Sequence, residues 1–265
     1  AEAKFVVSTY SRPLPVFTHG KGAYLFDSEG RRYLDFTAGI AVTALGHSDK
    51  EWVEAVSRQA GKLTHVSNLY HTEPHVELAQ HLTQNSFADR VYFCNSGTEA
   101  NEAAFKFARK WARTNHNTDD KTGIVAFKGG FHGRTTGSLA ATSKAKYRSP
   151  FEPLMPGIKF ATLNDVESAH HAITEETCAV IVEPIQGEGG VNPASNDFLS
   201  ALRDICDKNN ALLIFDEVQC GLARTGNLWA YQNSDVKPDI MTLAKPLAGG
   251  LPIGATLVTE DVAQT

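Results

Sequence analysis

Cysteine is scarce in this sequence: Cys94, Cys178, Cys206 and Cys220 are the four in 265 residues, and no two form a Cys-x-x-Cys pair. That spacing speaks against a disulfide framework or a zinc ribbon and predicts reduced, partly buried thiols. No apolar run approaches the ~20 residues a membrane-spanning helix needs. Positive charge is not in excess. The formal net charge is -5, which argues against a nucleic acid or an anionic membrane as partner. The opening Ala1-Glu2-Ala3-Lys4-Phe5 has neither an initiator Met nor a signal-peptide pattern, so the chain reads as trimmed or mature. There is no Gly-x-Ser-x-Gly nucleophile elbow, and the glycines at 187–190 lack a dinucleotide fingerprint. His71-Thr72-Glu73-Pro74-His75 only superficially matches a two-histidine metal motif. Pro74 disturbs a regular i, i+4 presentation and no third ligand is obvious, so no metal is expected.

What is present is an alternation of β and α patterns. Ala23 to Phe26 and Arg31 to Phe36, joined through Asp27-Ser28-Glu29-Gly30, read as a hairpin. Residues 49–62 and 73–85 read as helices. Short apolar runs follow at 91–94, 124–127, 179–182, 212–215, 240–243 and 255–258, apolar on both faces as in strands covered on two sides. Between them, 98–113 carries a stripe of Ala100, Ala103, Ala104, Phe107, Ala108 and Trp111, and Phe198, Leu199, Leu202, Ile205 and Cys206 make a second amphipathic helix. The expected fold is α/β, a mostly parallel sheet with helices on both faces and a small N-terminal β-hairpin segment. Residues 1–48 are assigned to a small-domain segment and 49–265 to a large domain.

In such sheets ligands sit at the carboxyl ends of the strands. Lys245 lies just past one, in Thr242-Leu243-Ala244-Lys245-Pro246, and Pro246 biases it away from helix. A buried amine there loses its proton by desolvation and condenses with an aldehyde. Asp216 ends another strand, where a carboxylate can face a pyridine nitrogen and keep it protonated. Asn95-Ser96-Gly97-Thr98-Glu99 opens a helix. It matches a capping box through Ser96 and Glu99, and also a phosphate site through the free amides of Gly97 and Thr98. Lysine, carboxylate and turn together describe a site for pyridoxal 5'-phosphate. Gln219 is placed to bond the ring hydroxyl. In Phe131-His132-Gly133-Arg134-Thr135, Phe131 is expected to stack on the ring and Arg134 to pair with a substrate carboxylate. Glu183 to Gly190 is a further strand-end loop, whose carboxylates can neutralise arginines when substrate is absent.

These motifs, in this order, resemble the class III, fold-type I pyridoxal-phosphate-dependent aminotransferases over nearly the whole chain. The resemblance implies that Lys245 binds the cofactor covalently, that Asp216 partners the ring nitrogen, and that Val218 and Phe131 pack on opposite ring faces. Ser96, Gly97, Thr98, His132 and Gln219 complete the cofactor set. Arg134 is implied to hold substrate carboxylate, and Glu188 to shield a second arginine. Within the family, the segments 35–47 and 65–70 most resemble acetylornithine aminotransferases. Ile40 stands where ornithine aminotransferases carry tyrosine, which suits a substrate with a masked α-amine.

The resemblance implies transfer of the terminal amine of N2-acetylornithine to 2-oxoglutarate, giving N-acetylglutamate 5-semialdehyde and glutamate in arginine biosynthesis. Ornithine or 4-aminobutyrate as donor, and a noncatalytic truncated interaction module, are the alternatives. Family members continue beyond Lys245 into a C-terminal small domain with a second substrate arginine and a threonine that reaches the other subunit's cofactor. The chain is therefore expected to be a fragment or a natural truncation of a homodimeric enzyme, inert by itself. The mitochondrial matrix is the expected compartment, with plastid or cytosol as alternatives.

Overall fold

The computed structural model describes residues 2–116 and 119–265. The chain divides into two compact units, one ending at His65 and the other running Val66–Thr265. In the first, β1 (Phe17–Lys21), β2 (Tyr24–Asp27) and β3 (Arg32–Leu34) form an antiparallel sheet in that order. The expected hairpin is β2–β3, and β1 adds a third strand. Its turn is organised by the buried Asp27. One carboxylate oxygen accepts the amides of Glu29 and Arg31, and the other accepts Arg31 Nε at 2.7 Å and the Tyr33 hydroxyl at 2.8 Å. Gly30 closes the turn at φ 77°, a conformation side chains resist. Helix α1 (Lys50–Lys62), capped by Asp49 accepting the Trp52 amide, belongs to this unit.

The second unit carries α2 (Glu73–Gln84), β4 (Arg90–Cys94), α3 (Gly97–His116), β5 (Gly123–Phe127), α4 (Thr136–Ala141), β6 (Ile158–Ala161), α5 (Val166–Ala172), β7 (Thr177–Val182), β8 (Ile185–Gln186), β9 (Asn192–Pro193), α6 (Asn196–Lys208), β10 (Leu212–Asp216), β11 (Ile240–Leu243) and β12 (Gly254–Val258). Seven strands form one sheet in the order β4-β12-β11-β10-β7-β5-β6. Only the pairings of β12, with β11 and with β4, are antiparallel. Alternate residues of each central strand face opposite sides, as strand geometry requires. Val125, Phe127, Val180, Val182, Leu213 and Phe215 pack with α2, α5 and α6. Ile124, Ala126, Ala179, Ile181, Leu212 and Ile214 pack with α3 and α4. The sheet is thus mostly parallel, with helices on both faces.

The buried stripe of α3 is rotated from the expected one. Ala100, Ala103, Ala104 and Ala108 are buried as expected, Asn101, Phe105 and Ala112 join them, and Phe107 and Trp111 are half-exposed at the margin of the same core. Trp111 needs a partner for its indole N–H and reaches Asp261 at 2.6 Å, and Phe107 meets the edge of Tyr92. The rotation leaves Asn101, a polar residue, facing the sheet.

Candidate active site

The carboxyl ends of β4, β5, β7, β10 and β11 lie along one edge of the sheet, and each is followed by a loop carrying polar residues. Ser96 to Thr98, Val218 and Ala244–Lys245 meet there. A Cβ on Gly97 would stand 2.8 Å from Val218 Cγ1 and 3.3 Å from the Ala244 Cβ, so only glycine allows this approach. A Cβ on Gly254, at the start of β12, would collide with the Ser96 carbonyl oxygen, which fixes the same turn from the other side.

The turn is half of the expected capping box. The Glu99 amide donates to Ser96 Oγ at 3.3 Å, but Glu99 reaches back one residue further than predicted, accepting from the Asn95 amide at 2.7 Å. The amides of Gly97 and Thr98 meet no backbone acceptor among the described residues. Thr98 Oγ1 accepts the amides of Arg134 and Thr135 and pairs with Thr135 Oγ1, tying the helix start to the 131–135 loop. Glu102 completes that tie by accepting the amides of Gly137 and Ser138 at the start of α4.

Asp216 is buried at the end of β10. One oxygen accepts Asn101 Nδ2 at 2.9 Å and His132 Nδ1–H at 2.8 Å, and the other accepts the Val218 amide at 3.0 Å. Asn101 also donates to the His132 carbonyl and accepts the Thr242 hydroxyl at 2.8 Å. These side chains are all buried. Burial alone would lower the His132 pKa, but the bond to Asp216 and its charge prevail and raise it. Asn101 and Thr242 were not singled out from sequence. The signal available was a lone amide inside the alanine stripe of α3.

Lys245 opens a 3-10 turn, Lys245–Ala248, with φ 34°, an uncommon conformation for a residue with a side chain. It lies in a turn and outside any α-helix, as the following Pro246 favours. Burial pushes its amine below the ordinary lysine value, while Asp216, Glu188 and Glu183 pull the other way. Glu183, at the end of β7, accepts the amides of Phe131 and Gly187. Burial pushes it up to about 7, against the charge of His132. Gln219 lies over the next loop so closely that a Cβ on Gly187 would collide with its Oε1.

Phe131 is half-buried and Arg134 exposed. Glu188 is exposed and has no arginine partner among the described residues. Lys144 Nζ donates to its carbonyl at 3.3 Å. Ile40 belongs to the N-terminal unit. It is exposed at φ 64° in a left-handed turn, Ala38–Ala41, whose start is held by Asp35 accepting the Thr37 and Ala38 amides. The cluster at the strand ends is built from the second unit alone.

The family model for "Aminotransferase class-III" matches residues 6–265. The chain belongs to the class-III aminotransferases. It is 59% identical to a relative named mitochondrial acetylornithine aminotransferase from Alnus glutinosa, over 99% of this chain and 59% of that one. It is 53% identical to the protein of that name from Debaryomyces hansenii, over 97% of this chain and 57% of the relative. The chain thus spans about three fifths of these curated relatives. Among solved structures, the ornithine aminotransferase of Toxoplasma gondii superposes with a TM-score of 0.95 at 34% identity, covering 99% of this chain and 63% of that one. The N-acetylornithine aminotransferase of Stenotrophomonas maltophilia gives 0.85 at 43% identity, covering 97% and 65%. A second structure of the Toxoplasma enzyme is described as having partial occupancy of pyridoxal phosphate at its active site.

Pyridoxal phosphate is the cofactor of this family, and the donor set here fits it. There is an amine held toward its neutral form. A buried carboxylate is oriented by three donors. The helix-opening turn leaves the Gly97 and Thr98 amides without a backbone acceptor among the described residues, and the Gly97–Val218 contact gives an apolar wall beside them.

Proposed function

We propose that the protein transfers the terminal amine of N2-acetylornithine to 2-oxoglutarate, yielding N-acetylglutamate 5-semialdehyde and glutamate, as a step of arginine biosynthesis. The observation that carries this reading is the meeting of Lys245, Asp216 and the Gly97 turn at one sheet edge, in a chain 59% identical to a relative of that name. Bound pyridoxal phosphate supplies an aldehyde for the amine and a ring that accepts the electron pair left when a substrate proton departs.

The residues divide that work. Lys245 would hold the cofactor through its amine and would serve as the general base that moves the substrate proton; its burial favours the neutral amine that both tasks need. Asp216 holds the ring nitrogen protonated. His132, Asn101 and Thr242 act through Asp216, fixing its oxygens. Ser96, Gly97 and Thr98 receive the phosphate, Val218 and Phe131 take opposite ring faces, and Gln219 takes the ring hydroxyl. Arg134 pairs with substrate carboxylate, Glu188 shields a second arginine, and Ile40 selects the masked α-amine. We further assign a homodimer and, from relatives named mitochondrial, a mitochondrial location.

The test is a half-reaction on the full-length protein with acetylornithine, ornithine and 4-aminobutyrate as separate donors. The reading expects acetylornithine to be favoured by kcat/KM. Preference for ornithine would reassign the donor, and loss of the cofactor spectrum with none of the three would remove the aminotransferase reading.

A further inference from the structure

We propose that Tyr147 is a positioning residue for the substrate carboxylate: its ring holds the Arg134 guanidinium in the orientation that receives the acid. The inference rests on the reading of Arg134 given above. Arg134 is exposed and makes no ion pair among the described residues. What touches it is aromatic. Its Cζ lies 4.1 Å from the Tyr147 ring centroid and 5.7 Å from that of Phe131, and those two rings stand edge to face at 6.4 Å.

The side chain is therefore fixed at both ends. Its backbone amide donates to Thr98 Oγ1 at 3.2 Å, at the start of α3. Its head rests on Tyr147, in the helical turn Ala145–Arg148. That turn is itself anchored. Arg148 lies over the Phe160 ring at 4.7 Å, and the Tyr147 amide donates to the Lys144 carbonyl at 2.9 Å. Lys144 Nζ lies 5.8 Å from the same Tyr147 ring and donates to the Glu188 carbonyl. One ring thus couples the loop bearing Arg134 to the loop bearing Glu188.

A guanidinium stacked on a ring face keeps its N–H edge free. It can then offer a carboxylate two parallel bonds without first losing rotamer freedom. The Tyr147 hydroxyl makes no hydrogen bond to another described residue, so the ring face is assigned the role.

The experiment uses the full-length, cofactor-loaded protein and glutarate, a dicarboxylate that cannot turn over, titrated by calorimetry beside steady-state kinetics with 2-oxoglutarate. Tyr147→Leu should weaken glutarate and raise KM about three- to fivefold, the size of a cation–π contact at an exposed arginine, with kcat and cofactor absorbance little changed. Tyr147→Phe should restore wild-type binding. In an Arg134→Ala background, Tyr147→Leu should add nothing further, an outcome a general loss of structure would not give. Wild-type glutarate binding by Tyr147→Leu, or Tyr147→Phe losing as much as Tyr147→Leu, overturns the proposal. If Tyr147→Leu does not fold, Tyr147→Gln supplies the same comparison. Glutarate binding unchanged in Arg134→Ala would instead remove the substrate role of Arg134, and the Tyr147 inference with it.

Discussion

Two buried aspartates organise the two units of this molecule, and they are completed differently. Asp27 in the N-terminal sheet gathers two amides, a tyrosine hydroxyl and Arg31 Nε. Burial works against its charge, but these partners hold it down to about 2. Asp216 in the α/β unit gathers an asparagine amide, an imidazole and one backbone amide, with no arginine or lysine bonded to it among the described residues. Its neighbours Glu183 and Glu217 are pushed up to about 7 by burial. A carboxylate that holds a fold together is neutralised on the spot. At the strand ends Asp216 is balanced by the buried His132, whose pKa it raises, and burial drives Glu183 and Glu217 toward their neutral forms; a cationic ring would add a second positive partner for Asp216.

The largest expected effect separates the two directly. Asp216→Asn removes the anion and keeps the shape, so turnover should fall by about three orders of magnitude, ~4 kcal/mol in the chemical step, with cofactor absorbance retained. Asp27→Asn should lower the unfolding midpoint and leave turnover per folded molecule intact. Near-normal turnover in Asp216→Asn would place control of the ring charge elsewhere.

The pH dependence of stability sharpens the contrast, because the two regions act in opposite directions. Asp27 titrates below the ordinary 3.8 in the fold, so its contribution is present above about 3.8 and is lost as pH falls through about 2. Glu183 and Glu217 titrate above the ordinary 4.5, so their contribution is present below about 4.5 and is lost as pH rises through about 7. Urea midpoints measured from pH 2 to 8 should rise and then fall. Glu217→Gln should flatten the falling limb alone; an unchanged limb would show that Glu217 does not titrate there.

Arg134→Lys keeps the charge and loses the planar fork, so KM for 2-oxoglutarate should rise about tenfold while cofactor absorbance stays constant. A fall in cofactor affinity alone would move Arg134 to the phosphate. The smallest effect on turnover is expected from Thr242→Val, which leaves the buried Asn101 Oδ1 without its donor at 2.8 Å. That should cost about 1–3 kcal/mol of stability, read from denaturant midpoints, with a mild loss of rate as Asp216 loosens.

Much of this arrangement was legible from residue order. Strand-end positions are marked by where an apolar run stops, so Asp216 and Lys245 could be placed on one edge before any contact was known. The hairpin was legible because Gly30 and Asp27 fix its turn chemically. What was missed depends on rotation and side-chain partnership. The alanine-rich α3 gives a broad apolar signal that does not say which of Phe105 or Phe107 faces the sheet, and the partner of Trp111 lies 150 residues away in sequence. The same rotation sends Asn101 to Asp216. Helix α4, Thr-Gly-Ser-Leu-Ala-Ala, has no apolar period to detect, and it depends on a cap from Glu102 in another helix. His132 sits in a recognisable segment, but its burial against Asp216 follows from the fold of two separate loops.

The central claim is that Lys245 at this strand edge carries the cofactor. Borohydride reduction of the full-length, cofactor-bound protein, followed by peptide mapping, tests it most directly. The account predicts a stable pyridoxyl label on the peptide containing Lys245, and none in Lys245→Ala. A label on Lys128, Lys144 or Lys237 instead would contradict it.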